Sequence, residues 1–292
     1  MLFRSHPSMP EEMRDLLVDN LEITRNDIYA LTHPLGLASL WQLYNSVERH
    51  DLKDTPYIQR TPKPLRNLDT ASEIFDVIRN ENVLLHHPYE SFIPVVDFLN
   101  AAARDPHVLA IKQTVYRVGS NAPVVEALLE AAERGKQVAV LVELKARFDE
   151  ESNIGWARAL EQAGVHVVYG LMGLKTHCKV AMVVRKEGEG IRRYLHLATG
   201  NYNAVTSRIY EDMGMFTCDE DMGSDATDLF NYLTGYSTKK SYKKLLVAPV
   251  NLREQMEKLI QREIEHAKAG NKARIILKMN SLVDMDMIQL LY

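Results

Sequence analysis

The sequence predicts an α/β fold in which helices cover both faces of a mixed, mostly parallel β-sheet. Between about Asn67 and Val247, short valine-rich apolar segments alternate with longer amphipathic segments. Short apolar segments are typical of buried strands, and the amphipathic ones of the helices that connect parallel strands. Two of the amphipathic segments are followed by a glycine, Gly135 and Gly164, as expected where a helix ends.

The elements of this sheet can be placed in order along the chain. Strands are predicted where apolar segments are short, and helices where apolar residues recur every three or four positions. The predicted strands are 83–86, 108–115, 137–144, 165–169, 178–184, 193–198 and 213–217. The predicted helices are 89–103, 122–134, 149–163 and 225–233.

The segments on either side of this region have a different pattern. Residues 1–65 are predicted to be helical, with one amphipathic helix starting at Pro10 and a second over 36–47. The apolar residues of the second helix are expected to face inward; they are Leu37, Leu40, Trp41 and Leu43. Three prolines between Pro56 and Pro64 predict a linker. Beyond this region, the pattern predicts a helix over 247–268, a strand over 274–278 and a helix over 283–291.

The composition excludes several classes of protein. Of the 292 residues, 46% are hydrophobic and 25% are charged, as in ordinary globular proteins. A net charge of -4 gives no global basic field, so any anion-binding site must be a local cluster. Cys178 and Cys218 form no metal-binding or disulfide pattern, which favours a reduced, cytoplasmic compartment. The sequence contains no apolar run long enough for a membrane span and no Walker-type phosphate loop.

The most informative motif is a histidine between two lysines, in the segment Gly173-Leu174-Lys175-Thr176-His177-Cys178-Lys179-Val180. In an extended segment, Lys175, His177 and Lys179 point to one face, and the residues between them point to the other. A neutral imidazole can attack phosphorus while the flanking ammonium groups stabilise charge on the transferring oxygens. The alternative is a strand with a polar, solvated face, and the spacing alone does not decide between the two.

A second motif follows the apolar segment 194–198. It reads Thr199-Gly200-Asn201-Tyr202-Asn203. A histidine–x–lysine segment followed by a Gly-x-x-Asn turn resembles the phospholipase D superfamily, where the turn orients the histidine and helps to bind phosphate. Members of that superfamily usually carry an aspartate a few residues after the lysine. Here residues 180–185 read Val-Ala-Met-Val-Val-Arg, which argues against an ordinary lipase or nuclease.

Longer segments resemble the bacterial polyphosphate kinase family, in the branch that uses a phosphohistidine. The matching segments are 84–92, 111–118, 142–150, 174–179, 199–203 and 209–212. The resemblance covers essentially the whole chain and implies a division into three parts. Residues 1–65 would be the tail of a helical domain, 66–246 a phospholipase D-like domain with the nucleophilic histidine, and 247–292 the truncated start of a second such α/β domain. The chain would then be an internal fragment of a protein more than twice its length.

The resemblance also implies a reaction. The terminal phosphate of ATP would pass reversibly to a polyphosphate chain through a phosphohistidine at His177, with release of ADP and with Mg²⁺ as cofactor. Lys175 and Lys179 would neutralise charge during the transfer. Tyr210 would contact the nucleotide, and Asn201 and Asn203 would belong to the binding site.

Two arginines are associated with the magnesium-bearing phosphate site by the same resemblance. Arg117 and Arg147 each follow a predicted strand, so both would reach the edge of the sheet at which ligands of α/β proteins bind. A guanidinium offers a fixed fork of donors to phosphate oxygens but has no lone pair for a metal. We therefore expect the arginines to hold phosphates that bridge to Mg²⁺.

Two alternatives stay open at this point. One is a phospholipase D-like phosphodiesterase that uses the histidine on lipid or nucleic acid without a metal. The missing aspartate, the two arginines and the lack of a membrane-binding segment disfavour it. The other is an inactive fragment that only binds polyanions. We also expect that this chain alone does not catalyse ATP-dependent polyphosphate synthesis. In the family that the chain resembles, four domains together form the active-site tunnel, and a histidine and an arginine of the last domain contact the nucleotide. Because the chain would carry only the start of that domain, its active site would be incomplete.

The remaining expectations concern partners and individual side chains. The resemblance implies that the protein binds ATP, ADP and inorganic polyphosphate, and no nucleic acid. It also implies a homo-oligomer. The expected location is the cytoplasm, either free or associated with the inner face of the membrane. His86 and His87 are consecutive in a strand and face opposite ways, so they do not form a metal pair. Glu211 and Asp212 have two open interpretations, either as carboxylates near a metal or as charges at a helix N-terminus. His166 and His196 are predicted to lie in the core or at a sheet edge.

Overall fold

The computed structural model describes residues 3–33, 35–117, 119, 122–143, 150–171, 173–235, 239 and 241–292. The chain divides into two units, Met1–Tyr57 and Ile58–Tyr292. This division falls inside the proline-rich segment that the sequence predicts as a linker. The three-part domain organisation, with boundaries at 65 and 246, stays a prediction.

The first unit contains two short strands and two helices. The strands β1 (Phe3–Ser5) and β2 (Ile28–Ala30) pair in parallel, and the helices are α1 (Glu11–Leu21) and α2 (Leu40–Ser46). Helix α1 begins next to Pro10, as predicted, and its first turn carries two glutamates that suit the positive end of the helix dipole. Sequence periodicity does not reveal three-residue strands, so β1 and β2 were not predicted.

The expected inward face of the second helix is wrong. Leu37, Leu40, Trp41 and Leu43 are each more than half exposed. Helix α2 spans two turns, and within the described part of its unit no second apolar layer covers these side chains. A helical pattern of apolar residues identifies a face that can be buried, but burial itself requires a packing partner.

The second unit is organised around a seven-stranded sheet. Its strands are β3 (Val83–His87), β4 (Val108–Val115), β5 (Gln137–Val142), β6 (His166–Tyr169), β7 (Lys179–Glu187), β8 (Gly190–Ala198) and β9 (Asp212–Thr217). Its helices are α3 (Glu73–Asn80), α4 (Ile93–Arg104), α5 (Pro123–Glu133), α6 (Glu150–Gln162), α7 (Glu220–Leu233), α8 (Leu252–Lys268) and α9 (Met285–Leu291). Among the described residues, no helix combines the length and the apolar character that a membrane crossing requires.

The strand order is β3-β9-β8-β7-β4-β5-β6. Only the pairs β4–β5 and β5–β6 are parallel, and the other four pairs are antiparallel. The predicted mixed α/β class is confirmed, but the expectation of a mostly parallel sheet is wrong. Strands β7 and β8 are joined by a two-residue hairpin loop in which Gly188 has φ of 56°, and such a loop reverses the chain without a crossover helix.

Helices cover both faces of this sheet, as predicted. On β7, Ala181 and Val183 belong to one core cluster, whereas Val180 and Met182 belong to another. Alternate residues of a strand face opposite sides, so the two clusters lie on the two faces. Helices α3, α4, α5 and α6 contribute buried residues to the first cluster, and α7 contributes to the second.

The C-terminal segment departs from the sequence expectations in two ways. The helix expected from 247 begins at Leu252, and of its apolar stripe only Ile260 is buried. The strand expected over 274–278 is absent from the described residues, and Ile276 is largely exposed. A strand requires a neighbour to satisfy its backbone hydrogen bonds, and this segment pairs with none in the described part of the chain.

Candidate active site

The histidine segment lies where parallel strands β4 and β5 end. Strand β7 runs antiparallel to β4, so the start of β7 at Lys179 adjoins the end of β4 at Val115. Residues 175–178 are irregular chain, so β7 begins one residue after the start of the predicted strand 178–184. A turn comes before them, in which the Leu174 amide donates to the Leu171 carbonyl oxygen at 3.2 Å. Gly173 has φ of 77° in this turn, a conformation that favours glycine.

The structure brings four functional groups together around the ring of Tyr116. The His177 ring lies edge-on with its centroid 5.1 Å from that of Tyr116. The Nζ atoms of Lys175 and Lys179 lie 5.0 and 5.3 Å from the Tyr116 centroid, and the Arg117 Cζ lies 5.3 Å from it. The side chains of Lys175, His177 and Lys179 thus lie together, although residues 175–178 are irregular chain and not the extended segment that the alternation argument assumes.

Electrostatics favour a neutral histidine at this site. Partial burial lowers the pKa of His177, and the positive charges of Lys179, Lys175 and Arg117 lower it further. A neutral imidazole keeps the lone pair that a nucleophile needs. Burial lowers the pKa of Lys179 to about 8, while the nearby carboxylate of Asp212 acts in the opposite direction.

The loop that carries His177 is fixed from the sheet on both sides of the histidine. The buried carboxylate of Glu143, directly after β5, accepts a hydrogen bond from the Thr176 amide at 2.7 Å. The Thr114 hydroxyl donates to the Cys178 carbonyl oxygen at 2.8 Å and accepts from the Val180 amide at 3.0 Å. The residues on either side of His177 therefore have anchored backbones.

A further buried group joins the ends of β4 and β5. The Asn153 side chain, on α6, donates to the carbonyl oxygens of Tyr116 and of Glu143, the latter at 3.0 Å. Sequence reasoning assigned no role to Glu143, Tyr116 or Asn153. The available signal was a glutamate, Glu143, near the end of the valine-rich predicted strand 137–144, where a buried carboxylate needs a partner.

The Gly-x-x-Asn turn follows β8 and contacts the start of β9. A Cβ on Gly200 would lie 2.7 Å from Asp212 Oδ2, so only glycine fits beside this carboxylate. The Thr199 hydroxyl donates to Asp212 Oδ1 at 2.8 Å. Asn203 Oδ1 accepts from the amides of Val205 and Thr206 at 2.9 and 3.0 Å. The turn thus contacts the start of β9 through Thr199 and Gly200, and Asn203 closes it by local hydrogen bonds.

The other predicted site residues are less closely tied to His177. The Asn203 Nδ2 atom lies 3.2 Å from the position of a Cβ on Gly119, two residues after Arg117. Asn201 Oδ1 is buried and has no hydrogen-bond partner among the described residues. Tyr210 is largely exposed. Arg147 lies outside the described residues.

The paired carboxylates and the histidines have distinct surroundings. Glu211 contacts His86 Nε2 at 3.0 Å and Lys278 Nζ at 2.8 Å. Asp212 begins strand β9, which rules out the interpretation of a helix N-terminus. His87 turns away from His86 and its Nδ1 lies 2.8 Å from the Glu90 carbonyl oxygen, as expected for consecutive strand residues. His196 is buried with Nδ1 3.0 Å from the Tyr202 hydroxyl, and His166 is exposed on the edge strand β6, so both predictions are confirmed.

The donor set does not fit a magnesium ion held by protein side chains. Around Tyr116 the described side chains are cations and an imidazole, whereas Mg²⁺ prefers oxygen ligands. No group of three or more carboxylate, histidine or cysteine side chains that could hold a metal occurs within the described ranges. The site instead suits a polyanion such as a chain of phosphates.

A cavity of about 610 Å³ adjoins the histidine segment. Lys175, His177 and Lys179 line one side of it. Most of the remaining lining is apolar: it comprises Leu171, Leu174, Cys178, Val180, Leu197, Ala198, Leu229, Leu233, Leu245, Leu246, Val247, Ala248, Pro249 and Leu252.

The fold and the site together define an α/β protein with a histidine among cationic side chains at the ends of parallel strands. Family models agree with this class: "Polyphosphate kinase C-terminal domain 1" matches residues 73–239, and "Polyphosphate kinase C-terminal domain 2" matches residues 245–292. The chain belongs to the polyphosphate kinase family.

Individual relatives match over nearly the whole chain but over less than half of their own length. A polyphosphate kinase from Mycolicibacterium gilvum is 54% identical over 285 residues, which is 97% of this chain and 39% of the relative. Polyphosphate kinase 1 from Chlorobaculum tepidum is 53% identical over 286 residues, 98% of this chain and 40% of the relative. The crystal structure of the polyphosphate kinase from Porphyromonas gingivalis superposes with a TM-score of 0.80 and 33% identity over 99% of this chain and 44% of that one.

Proposed function

We propose that this chain carries the phosphohistidine-forming centre of a polyphosphate kinase. The observation that carries the proposal is the position of His177, whose pKa is lowered and whose ring shares the Tyr116 site with Lys175, Lys179 and Arg117. A nucleophile that must attack a polyanion needs a lone pair and nearby positive charge, and this site provides both. Family membership supports ATP and inorganic polyphosphate as the two substrates.

The proposed transfer has two steps. A ring nitrogen of His177 attacks the terminal phosphorus of ATP, a nitrogen–phosphorus bond forms, and the bond to the bridging oxygen breaks to release ADP. The terminal oxygen of polyphosphate then attacks the same phosphorus, and the bond to nitrogen breaks. Charge spreads over the equatorial oxygens in both steps, where Lys175, Lys179 and Arg117 stabilise it.

The other site residues enter this proposal in supporting roles. Tyr210 is exposed and is proposed as a nucleotide contact. Asn203 Oδ1 is occupied by two backbone amides, so its Nδ2 group is the one that would donate to a phosphate. Asn201 belongs to the same turn. Arg147 is proposed from the family resemblance alone, as a second phosphate-binding arginine.

Mg²⁺ is proposed to reach the site on the phosphates of ATP, because the described side chains offer it no set of oxygen ligands. A homo-oligomeric state, a cytoplasmic location and the lack of a nucleic-acid partner rest on the resemblance and stay predictions. The chain spans about two fifths of the length of its curated relatives, so the activity is proposed for a protein of their full length.

The test is formation of a phosphoenzyme. The chain, and a form extended to the length of its relatives, are incubated with ATP labelled on the terminal phosphate and with Mg²⁺. In the extended form we expect label that is stable to base and labile to acid, and its loss in His177→Gln; the 292-residue chain alone should label weakly or not at all. His166→Gln is the matched control, because it makes the same change at an exposed histidine on the edge strand and should label normally.

The two alternatives give different results in this test. A phosphodiesterase would form its covalent intermediate from a phosphodiester without Mg²⁺ and would take no label from ATP. A polyanion-binding fragment would bind inorganic tripolyphosphate and form no covalent intermediate. Normal labelling of His177→Gln in the extended form would refute the assignment of the nucleophile.

A further inference from the structure

The ring of Tyr116 lies at the centre of the cationic cluster, and the sequence assigns it no role. Tyr116 directly follows β4 and is only 7% exposed. Its carbonyl oxygen accepts a hydrogen bond from the Asn153 side chain, which is fully buried on α6. The backbone that carries the ring is therefore held by the core of the unit, and the ring has a defined place at the end of the sheet.

Three positive groups surround this one ring. The charged groups of Lys175, Lys179 and Arg117 all lie between 5.0 and 5.3 Å from its centroid, within the range of cation–π attraction. Lys179 is only 4% exposed, and the attraction is strongest where water is excluded. The fourth neighbour is the His177 ring, whose centroid lies 5.1 Å away with an interplanar angle of 73°.

A cluster of this kind needs something that offsets its own repulsion. Three cations that share one aromatic ring repel one another. Lys179 Nζ also donates a hydrogen bond to the His177 carbonyl oxygen, but a neutral acceptor removes none of the positive charge. The negative face of an aromatic ring attracts each of them without a net charge of its own. The attraction of the ring for the cations therefore adds no negative charge that would repel an incoming phosphate.

We propose that Tyr116 is a positioning residue, whose ring preorganises Lys175, Lys179 and Arg117 around His177 for a chain of phosphates. That this arrangement speeds phosphoryl transfer to His177 rests on the function proposed above. That it raises the affinity for a polyanion does not, because this follows from the positions of the three cations alone. The competing explanation is that Tyr116 is an ordinary buried tyrosine that fills space at the end of β4.

The electron density of the ring separates the two explanations, since packing depends on its shape and cation–π attraction depends on its charge distribution. The test uses the full 292-residue chain and inorganic tripolyphosphate, with affinity measured by isothermal titration calorimetry. Tyr116→Phe is compared with chains that carry mono-, di- and trifluorinated phenylalanine at position 116. Fluorine withdraws electrons from the ring face and changes its volume little.

We expect Tyr116→Phe to bind tripolyphosphate within about twofold of the parent chain, because it keeps the ring. Affinity should then fall step by step with each fluorine, by about tenfold in total over the series. Equal affinity across a series whose members all unfold at the same temperature as Tyr116→Phe would overturn the proposal.

A double-mutant cycle tests whether the ring acts through the cations. Lys175→Met removes one of them at an exposed position, where the fold tolerates the change. In the Lys175→Met background, trifluorination should lower the affinity several-fold less than it does in the Lys175 chain, because one of the cations is gone. Fully additive effects would show that the ring does not act through Lys175 and would contradict the proposal. Both measurements read anion binding, so a failure to form phosphoenzyme would leave them valid.

Discussion

The carboxylate of Glu143 should control how firmly the His177 loop is held. In Glu143→Ala, the Thr176 amide loses the acceptor that lies 2.7 Å away, and Thr176 itself is buried. A buried hydrogen bond to a charged group contributes about 1.5–3 kcal/mol. Because 1.36 kcal/mol corresponds to a factor of ten, the equilibrium for local opening of the loop should rise by about 10- to 150-fold.

Hydrogen exchange at the Thr176 amide measures this opening directly. Glu143→Gln is the matched control, since it keeps the size of the side chain and one oxygen acceptor but removes the charge. We expect Glu143→Gln to raise the exchange rate by only about fivefold, which corresponds to roughly 1 kcal/mol for the loss of charge assistance. In a form that makes phosphoenzyme, the labelling rate should fall in the same order, with the parent fastest and Glu143→Ala slowest.

The reasoning about Glu143 would be wrong if the Thr176 amide exchanged at the parent rate in Glu143→Ala while the variant remained folded. It would also be wrong if the alanine and glutamine variants had the same effect, since that would leave no role for the hydrogen bond itself. Exchange at the Val180 amide is an internal reference. That amide donates to Thr114 Oγ1 and should be much less affected.

Three further predictions follow from the geometry of the site. Burial lowers the pKa of Lys179 to about 8, so this side chain should lose its positive charge as the pH rises from 7 to 9.5. The affinity for tripolyphosphate, measured by calorimetry, should fall over the same range. In Lys179→Arg, which keeps its charge, the affinity should depend less on pH. Burial lowers the pKa of His196 to about 3 from 6.5, so below pH 6.5 the unfolded chain binds a proton that the folded chain does not. Stability should therefore fall on acidification, and urea unfolding between pH 7 and 4.5 should show His196→Gln losing about 1.4 kcal/mol less per pH unit than the parent chain. Gly200→Ala would place a Cβ 2.7 Å from Asp212 Oδ2 and should lower the free energy of unfolding in urea by about 1–3 kcal/mol. The control is Gly155→Ala on α6, where the space around the glycine is open and the change should be neutral or stabilising. Equal effects of the two substitutions would contradict the close approach of Gly200 to Asp212.

The sequence by itself determined most of the regular elements of the second unit. Strand β4 has the predicted bounds, and α5 and α6 each end two residues before the glycine that the sequence marks as a helix end. These features depend on neighbours in the chain, since helical periodicity and glycine conformations are local properties. Lys175, His177 and Lys179 lie together as the alternation suggests, although residues 175–178 are irregular chain, and their role as a site stays a prediction.

Tertiary structure decided the direction of the strands and the surroundings of the histidine. An apolar strand segment does not encode whether its neighbour runs parallel, and four of the six strand pairs of this sheet are antiparallel, including the β7–β8 hairpin. Glu143 and Tyr116 are 34 and 61 positions before His177, and only the pairing of β4 with β5 and β7 brings them to it. The predicted strand over 274–278 shows the same dependence in reverse. Its apolar residues suit a strand, but in the described part of the chain no partner satisfies their backbone hydrogen bonds, so the segment remains irregular.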